Sequence, residues 1–143
     1  MAQMTDAEMR AFLLEGTRTG KLATTRADGR PHVVPIWFVL DGTTLIFTTG
    51  LDTVKAANMR RDPRVAFCVD DQAPLYSYVT IEGTATLIQD APDMLDWATR
   101  IGARYMGAEQ AEAFGRRNAV PSEALVRVVP THIIAERDIA AWG

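Results

Sequence analysis

Two threonines, a lysine and an asparagine lie close together in residues 48–67, which read TTGLDTVKAANMRRDPRVAF. Thr48 and Thr49 end a β-rich run, and a short helix is predicted to follow them. Lys55 and Asn58 are three residues apart, so a helix projects both from one face. Hydroxyl groups and a lysine near a helix start, where unpaired N–H groups favour negative charge, are suited to binding a phosphate. The alternative is a solvated lysine at an ordinary helix start.

Two further residues bear on this predicted anion pocket. Thr53 adds a third hydroxyl group. Asp52 is a suitable N-cap for a helix over residues 53–60, and its carboxylate opposes a bound anion unless it is used in capping. Three arginines follow, namely Arg60, Arg61 and Arg64. We interpret them as a solvated helix end that complements the helix dipole, rather than as a nucleic-acid patch.

Aromatic and hydroxyl-bearing residues elsewhere are candidates for contacts with a flat cofactor ring. Trp37 follows a strand that Pro35 is expected to bend, and such a strand offers an apolar wall and free backbone N–H groups. The alternative places this aromatic residue in the core of a barrel. Tyr76, Ser77 and Tyr78 cluster at a strand start, where they are either a lid over a ligand or an ordinary sheet edge.

No side-chain motif for catalysis is recognisable in this sequence. It contains no GxSxG, HExxH, GxGxxG or Walker motif. His32 and His132 are far apart and lack the spacing of metal ligands, so no metal is expected. If the protein is an enzyme, a bound cofactor is therefore expected to carry the chemistry.

Length and composition favour a single domain over residues 1–143. The net charge of −3 and the pI of about 5.3 argue against a general nucleic-acid binder. Cys68 is the single cysteine, which excludes an intrachain disulfide and fits a reducing cytosol. No stretch approaches the ~18 apolar residues of a membrane span, and the first residues do not read as a signal peptide. We therefore expect a cytoplasmic protein that does not bind membranes.

Turn and cap signals divide the chain into strands and helices. Thr5 and Glu8 form a capping box for a first helix that ends at Gly16. Asp28-Gly29 and Asp41-Gly42 predict hairpin turns. The predicted strands are 22–26, 31–40 with an interruption at Pro35, 43–49, 64–69, 76–88 with a bulge at Gly83, 124–129, and 132–135 after Pro130.

Three further helices are predicted besides the first. They cover residues 53–60, a segment from residue 90 to Gly107 with Pro92 in its first turn, and residues 109–117. The apolar stripe of the middle one is predicted to be Leu95, Ala98, Ile101 and Tyr105. Antiparallel hairpins dominate, so the predicted class is mainly β (α+β). We expect a closed barrel of six or seven strands with three or four peripheral helices, rather than a parallel α/β sheet.

Three pieces of the sequence resemble a known family in their order and spacing. They are LATTRADGRPHVVPIWF, TVKAANMRRDPRVAF and YVTIEGTATL, and the resemblance runs from about Leu22 to Leu87. The chain resembles the pyridoxamine-phosphate-oxidase-like split β-barrel proteins, and more closely their branch that uses the deazaflavin coenzyme F420. The resemblance implies a split antiparallel β-barrel with peripheral helices, of the FMN-binding type, and a homodimer with two cofactor sites at its interface.

The same resemblance implies roles for the candidate residues. Val33, Val34, Pro35, Ile36 and Trp37 would line the tricyclic ring with their backbone. Thr48 and Thr49 would meet the ribityl chain or phosphate. Lys55 and Asn58 would hold the phosphate, with Thr53 nearby, while Tyr76, Ser77 and Tyr78 would approach from the other subunit.

Two departures from the family pattern affect these expectations. Thr53 stands where some related sequences of the F420 branch carry arginine, and the threonine gives a weaker positive field for the acidic polyglutamate tail of F420. Further basic residues of the oxidase cannot be placed in this chain, so pyridoxamine phosphate oxidation is not expected.

The implied function is that of an F420-dependent reductase. The deazaflavin would exchange a hydride with an electrophilic C=C, C=N or quinone-like small molecule, and the substrate proton would come from solvent. The alternatives are an FMN-binding oxidoreductase on the same barrel and a binding protein that carries a flavin or deazaflavin without turnover. A haem-binding barrel is a further alternative, which depends on His32 or His132 as an axial ligand.

Overall fold

Hairpin turns and alternating side chains place most of the chain in one antiparallel sheet. The computed structural model describes residues 2–143. The strands are β1 (Ala2–Gln3), β2 (Gly20–Thr25), β3 (Pro31–Ile36), β4 (Val39–Asp41), β5 (Thr44–Gly50), β6 (Arg64–Asp71), β7 (Ser77–Ile88) and β8 (Glu123–Arg137). The helices are α1 (Asp6–Leu14), α2 (Val54–Arg61), α3 (Met94–Met106) and α4 (Ala111–Asn118), with a 3₁₀ turn at Ala108–Gln110.

The sheet follows the order β3-β2-β6-β7-β8-β5-β4, and β1 pairs with the far end of β8. Each strand pair is antiparallel, which confirms the predicted class. The expected closed barrel is wrong, because β3 and β4 remain two unjoined edges of the sheet. The architecture is that of a split barrel with peripheral helices.

The last strand is continuous, whereas two strands separated by Pro130 were expected. Pro130 lies opposite Gly83, where the β7–β8 register shifts after Glu82. This irregularity is the predicted bulge, and it accommodates a residue that cannot donate to the ladder. A Cβ on Gly83 would lie 2.8 Å from the backbone oxygen of Val129, so glycine permits the close approach.

The break in the predicted strand 31–40 falls at Trp37 and Phe38, not at Pro35. Pro35 pairs with Lys21 inside β3, which is an edge strand where proline is tolerated. Side chains of α3 satisfy the backbone at Phe38 instead of a neighbouring strand. The Phe38 N–H donates to the Tyr105 hydroxyl at 3.2 Å, and Arg104 donates to the Phe38 carbonyl at 2.7 Å.

Threonine hydroxyls cap the starts of α1 and α2. The capping box is confirmed, because Thr5 and Glu8 exchange two hydrogen bonds of 3.1 Å. At α2 the N-cap is Thr53, whose hydroxyl accepts from the Ala56 N–H at 3.2 Å. The assignment of this cap to Asp52 was therefore wrong.

The buried face of α3 is rotated about the helix axis relative to the predicted apolar stripe. It begins after Asp93, so Pro92 precedes the helix and does not lie in its first turn. Leu95 is 52% exposed, because the buried face of the helix runs through Met94, Trp97 and Ala98 instead. The buried residues of α3 are Met94, Trp97, Ala98, Ile101 and Gly102.

Two apolar clusters fill the molecule on opposite faces of β5. Leu45 and Phe47 belong to the cluster inside the split barrel, whereas Ile46 belongs to the cluster between the sheet and α3. This alternation follows from the period of two along a strand. Within residues 2–143, no helix is long and apolar enough to cross a membrane.

Candidate functional site

The two threonines at the end of β5 point to opposite faces of the sheet. Thr49 is 2% exposed and shares the barrel side of Phe47. Thr48 shares the other side with Ile46 and Gly50. The strand therefore does not aim both hydroxyls at one phosphate, and only Thr48 lies on the side that faces α3.

Thr53 uses its hydroxyl to build the turn into α2. The oxygen accepts from Ala56, and the hydroxyl lies 2.8 Å from the Gly50 carbonyl and 3.0 Å from the Thr49 hydroxyl. Its single proton is therefore taken up by a protein acceptor. In this arrangement Thr53 shapes the pocket and has no free donor for a phosphate.

Lys55 is the unpaired cation of the candidate pocket. It is half-buried, and burial lowers the pKa of its ammonium group, while Glu123 opposes that shift. The chain has one other lysine, Lys21, and this residue forms an ion pair with Asp70 at 3.4 Å. Among residues 2–143, Lys55 has no such partner within ion-pair or hydrogen-bond distance. A half-buried ammonium without a partner is suited to a bound anion.

Glu123 is the site residue that sequence reasoning missed. It starts β8 directly opposite Gly50, and its Oε2 is buried without a hydrogen-bond partner. Burial raises the pKa of this carboxyl; Lys55 opposes the shift and Asp52 adds to it. Only the β5–β8 register brings Glu123 to this place, and no local motif in the sequence marks it.

Asn58 is turned away from Lys55 and into the sheet. It is 4% exposed, its amide donates to the Thr24 hydroxyl at 3.0 Å, and its oxygen accepts from Arg61 at 3.2 Å. Arg61 also donates to the Thr25 carbonyl. Asn58 thus connects α2 to β2, and the structure does not bring its amide together with the Lys55 ammonium.

Strand β3 lies next to β2 at the edge of the sheet, and it exposes apolar side chains there. Val33 is 67% exposed and Pro35 is also exposed, while Val34 is half-buried and Ile36 is buried in the core. His32 pairs with Thr24 in the ladder, and its Nδ1 is buried without a partner. Strand β3 therefore has one solvent-exposed side. On its other side, which faces the barrel, one buried polar atom lacks a hydrogen-bond partner.

The Trp37 side chain belongs to the second cluster. Its indole stacks on Tyr105 with the ring centroids 5.1 Å apart and the planes at 3°, and it packs obliquely on Phe114. The side chain therefore lies in the cluster between the sheet and α3, and not in the barrel core of the alternative. The backbone of Trp37 nevertheless directly follows the last residue of the edge strand β3.

The Tyr76–Tyr78 segment lies at the other end of the sheet. Tyr78 pairs with Asp70, six residues along β6 from Arg64, which follows α2. Six extended residues span about 20 Å. Within one chain this segment therefore lies at the end of the β6–β7 ladder remote from the residue that follows α2.

Hydrogen bonds join this segment to the C-terminal tail. The Ile139 N–H donates to the Tyr76 carbonyl at 2.9 Å, and the Asp138 N–H donates to the Ser77 hydroxyl at 3.1 Å. Tyr76 adopts a φ of +63°, in the left-handed region that non-glycine residues rarely occupy. The loop and the tail therefore form one unit.

The outer face of the sheet is open across β2, β6 and β7. A depression of about 640 Å³ lies there, lined among others by Ala23, Ala66 and Thr84. Val129 and Ile134 on β8 are 56% and 42% exposed on the same side. Exposed apolar groups of this kind are typical of contact surfaces.

The two histidines do not form a common site. His32 faces the barrel side with Thr24, whereas His132 is exposed opposite Glu82 on the outer face. Within the part of the chain that the structure describes, no group of three His, Cys, Asp or Glu side chains could hold a metal ion.

The antiparallel split barrel, with a half-buried lysine at a strand–helix junction, defines a class of flavin-type cofactor-binding proteins. The chain belongs to the pyridoxamine 5′-phosphate oxidase family, an oxidoreductase family whose model matches residues 5–135. This match confirms the superfamily resemblance drawn from the sequence.

Individual relatives refine the comparison. A 5a,11a-dehydrotetracycline/5a,11a-dehydrooxytetracycline reductase of Streptomyces rimosus is 42% identical over 76 residues, which cover 46% of this chain and 52% of that protein. The match thus spans about half the length of that relative. A conserved hypothetical protein of Mycobacterium tuberculosis is 28% identical with a TM-score of 0.81, covering 98% of this chain and 90% of its own. An F420 reductase is 30% identical with a TM-score of 0.68, covering 86% of this chain and 94% of its own.

Proposed function

We propose that this protein is an F420-dependent oxidoreductase, which transfers a hydride between the deazaflavin and an electrophilic C=C, C=N or quinone-like small molecule. One observation carries the proposal. Among residues 2–143, two buried side-chain polar atoms have no partner, His32 Nδ1 and Glu123 Oε2. Glu123 Oε2 lies beside the lysine assigned to the phosphate. His32 Nδ1 lies on the barrel side of β3, the side opposite Val33 and Pro35. Such atoms are rare unless a ligand or water satisfies them.

The residues present fit a flat ring joined to a phosphate. Val33 and Pro35 present apolar surface on an edge strand with an unpaired backbone. Lys55 supplies an unpaired positive charge in the first turn of α2. The Asn58–Thr24 hydrogen bond connects the helix that carries Lys55 to β2, the strand that pairs with β3.

The chemistry would come from the cofactor, which supplies or accepts the hydride when bound. Residues of this chain bind and orient it: Lys55 holds the phosphate, and β3 supports one face of the ring. Closure by the tail and loop around Tyr76 excludes water from the reacting atoms. No side chain is assigned as a general acid, so the substrate proton comes from solvent.

The proposal includes a homodimer with shared sites. Tyr76, Ser77 and Tyr78 of the partner subunit would close the pocket. Within one chain these residues lie at the end of the β6–β7 ladder remote from Arg64, about 20 Å along the strand. The open outer face, with Val33, Val129 and Ile134 exposed, is the surface on which a second copy would pack.

The relatives support a reductase and the deazaflavin. A reductase and an F420 reductase both appear among them, at 42% and 30% identity. An FMN-binding oxidoreductase is the second candidate. It is favoured by the absence of a cation at Thr53 and by two carboxylates, Asp52 and Glu123, near Lys55. These features disfavour the acidic tail of F420 and leave a single phosphate as the better ligand.

The test is anaerobic oxidation of reduced F420 by the purified protein with a panel of enones, imines and quinones. We expect at least one acceptor class to give protein-dependent oxidation that Lys55→Ala diminishes. Binding of F420 without turnover over the whole panel would instead support a carrier protein. Purification of a yellow protein that retains FMN would favour the second candidate.

A further inference from the structure

The carboxyl group of Glu123 is an unexplained charge inside the proposed pocket. Its Oε2 lies 3.7 Å from the point that a Cβ on Gly50 would occupy, so the carboxyl is close to the end of β5 and to the turn into α2. The same atom is buried without a hydrogen-bond partner. A buried carboxylate oxygen that no donor reaches is destabilising, and its presence beside a ligand pocket calls for a functional explanation.

Charged groups from three elements surround this carboxyl. Lys55 on α2 and Arg117 on α4 favour its ionised form, whereas Asp52 in the turn before α2 disfavours it. Burial is the strongest influence and raises the pKa of Glu123. The carboxyl therefore gains a proton more readily than a carboxyl in water does.

A phosphate held by Lys55 would add a second negative charge next to Glu123. Two anions in one partly buried site disfavour each other, whereas a protonated carboxyl can donate a hydrogen bond to a phosphate oxygen. We propose that Glu123 couples cofactor binding to proton uptake: its carboxyl takes one proton from solvent as the phosphate binds, and then donates a hydrogen bond to it. This inference rests on the proposed function, because it requires a phosphate-bearing cofactor beside Lys55.

The coupling makes affinity depend on pH. Above the pKa of Glu123 in the cofactor-free protein, uptake of one proton weakens binding by up to about tenfold per pH unit. Proton gain by Lys55 would act in the same direction, so the contribution of Glu123 has to be isolated by a variant. A Glu123 that accepted a hydrogen bond from a ribityl hydroxyl would instead remain ionised.

The test is isothermal titration calorimetry of wild type and Glu123→Gln with F420 and, separately, with FMN. Pairs of buffers with different ionisation enthalpies at the same pH give the number of protons taken up. The control is Glu112→Gln, an equal charge change at a side chain that is 86% exposed on α4. Any protons that the FMN phosphate itself takes up are the same for all variants, so they cancel when the variants are compared.

We expect wild type and Glu112→Gln to take up about one more proton per site than Glu123→Gln. We also expect Glu123→Gln to bind at least as tightly as wild type and to lose the Glu123 part of the pH dependence. Equal proton uptake by Glu123→Gln and wild type would overturn the inference, as would weaker binding by Glu123→Gln throughout the pH range. If Glu123→Gln does not fold, the measurement on the wild-type protein is sufficient. Binding of F420 by wild type without proton uptake would overturn the proposed coupling. Failure of wild type to bind either cofactor would overturn the proposed function itself.

Discussion

The Asn58 amide donates a 3.0 Å hydrogen bond to the Thr24 hydroxyl, and both side chains are buried. This bond joins α2 to β2 at the rung where His32 of β3 pairs with Thr24. It therefore connects the helix that carries Lys55 to the strand beside the proposed ring position.

Thr24→Val is expected to lower the free energy of unfolding by about 1–3 kcal/mol, because the Asn58 amide loses its buried acceptor. The measurement is urea unfolding, with the midpoint shifted and the m value unchanged. Thr86→Val, at an exposed position of β7, is the matched control and should stay within about 0.5 kcal/mol. Equal effects of the two substitutions would show that the buried bond has no special importance.

Lys55→Ala is expected to weaken cofactor binding by about 1–3 kcal/mol, the scale of a lost charge-assisted hydrogen bond. Arg100→Ala removes an equal charge from the exposed side of α3 and should leave binding unchanged. Equilibrium titration with F420 and with FMN gives both values. If Lys55→Ala binds the cofactor as tightly as wild type, the assignment of the phosphate to Lys55 is contradicted.

Ala66→Arg is expected to disrupt the homodimer, because it places a long cation on the open outer face of the sheet. Sedimentation should show a monomer that binds cofactor poorly, since the partner's loop is lost. Leu95→Arg, on the exposed side of α3, is the control and should remain dimeric. A monomer that binds cofactor as well as wild type would refute the shared site.

Tyr105→Phe is expected to destabilise the fold by about 1–3 kcal/mol. The hydroxyl accepts from the Phe38 N–H and donates to the Arg18 carbonyl at 2.8 Å, so its removal leaves two groups unpaired. Tyr76→Phe at an exposed tyrosine is the control. Denaturant midpoints that do not distinguish the two variants would contradict the account of the break between β3 and β4.

Glu123→Gln is expected to stabilise the cofactor-free protein near neutral pH. The pKa of Glu123 is raised in the folded state by burial. The folded chain is therefore destabilised as pH rises through the unfolded pKa towards the folded pKa, and that cost is fully present above the latter. Thermal midpoints should differ between variant and wild type near neutral pH and converge in acid. A difference that grows in acid would contradict the sign of the shift.

Local signals in the sequence predicted local features well. The Thr5–Glu8 capping box, the bulge at Gly83 and the helix end at Gly107 are confirmed, because each depends on neighbouring residues. Features set by distant partners were not predictable in this way. The break after β3 depends on Tyr105 of α3, and Pro130 is accommodated by the bulge on another strand.

The candidate site shows the same division. Lys55 could be singled out, because its place near a helix start is a local property. The opposite orientations of Thr48 and Thr49 follow from strand alternation, which the pocket interpretation overlooked. Glu123 could not be found, since only the pairing of β8 with β5 brings it opposite Gly50.

The most direct test of the central claim is equilibrium titration of dialysed, cofactor-free wild-type protein with F420 and, in parallel, with FMN. We predict saturable binding of one cofactor per subunit, with F420 bound more tightly than FMN. Tighter binding of FMN would contradict the deazaflavin assignment and move the protein to the second candidate. Binding of neither would leave the split-barrel fold in place and contradict the proposed chemistry.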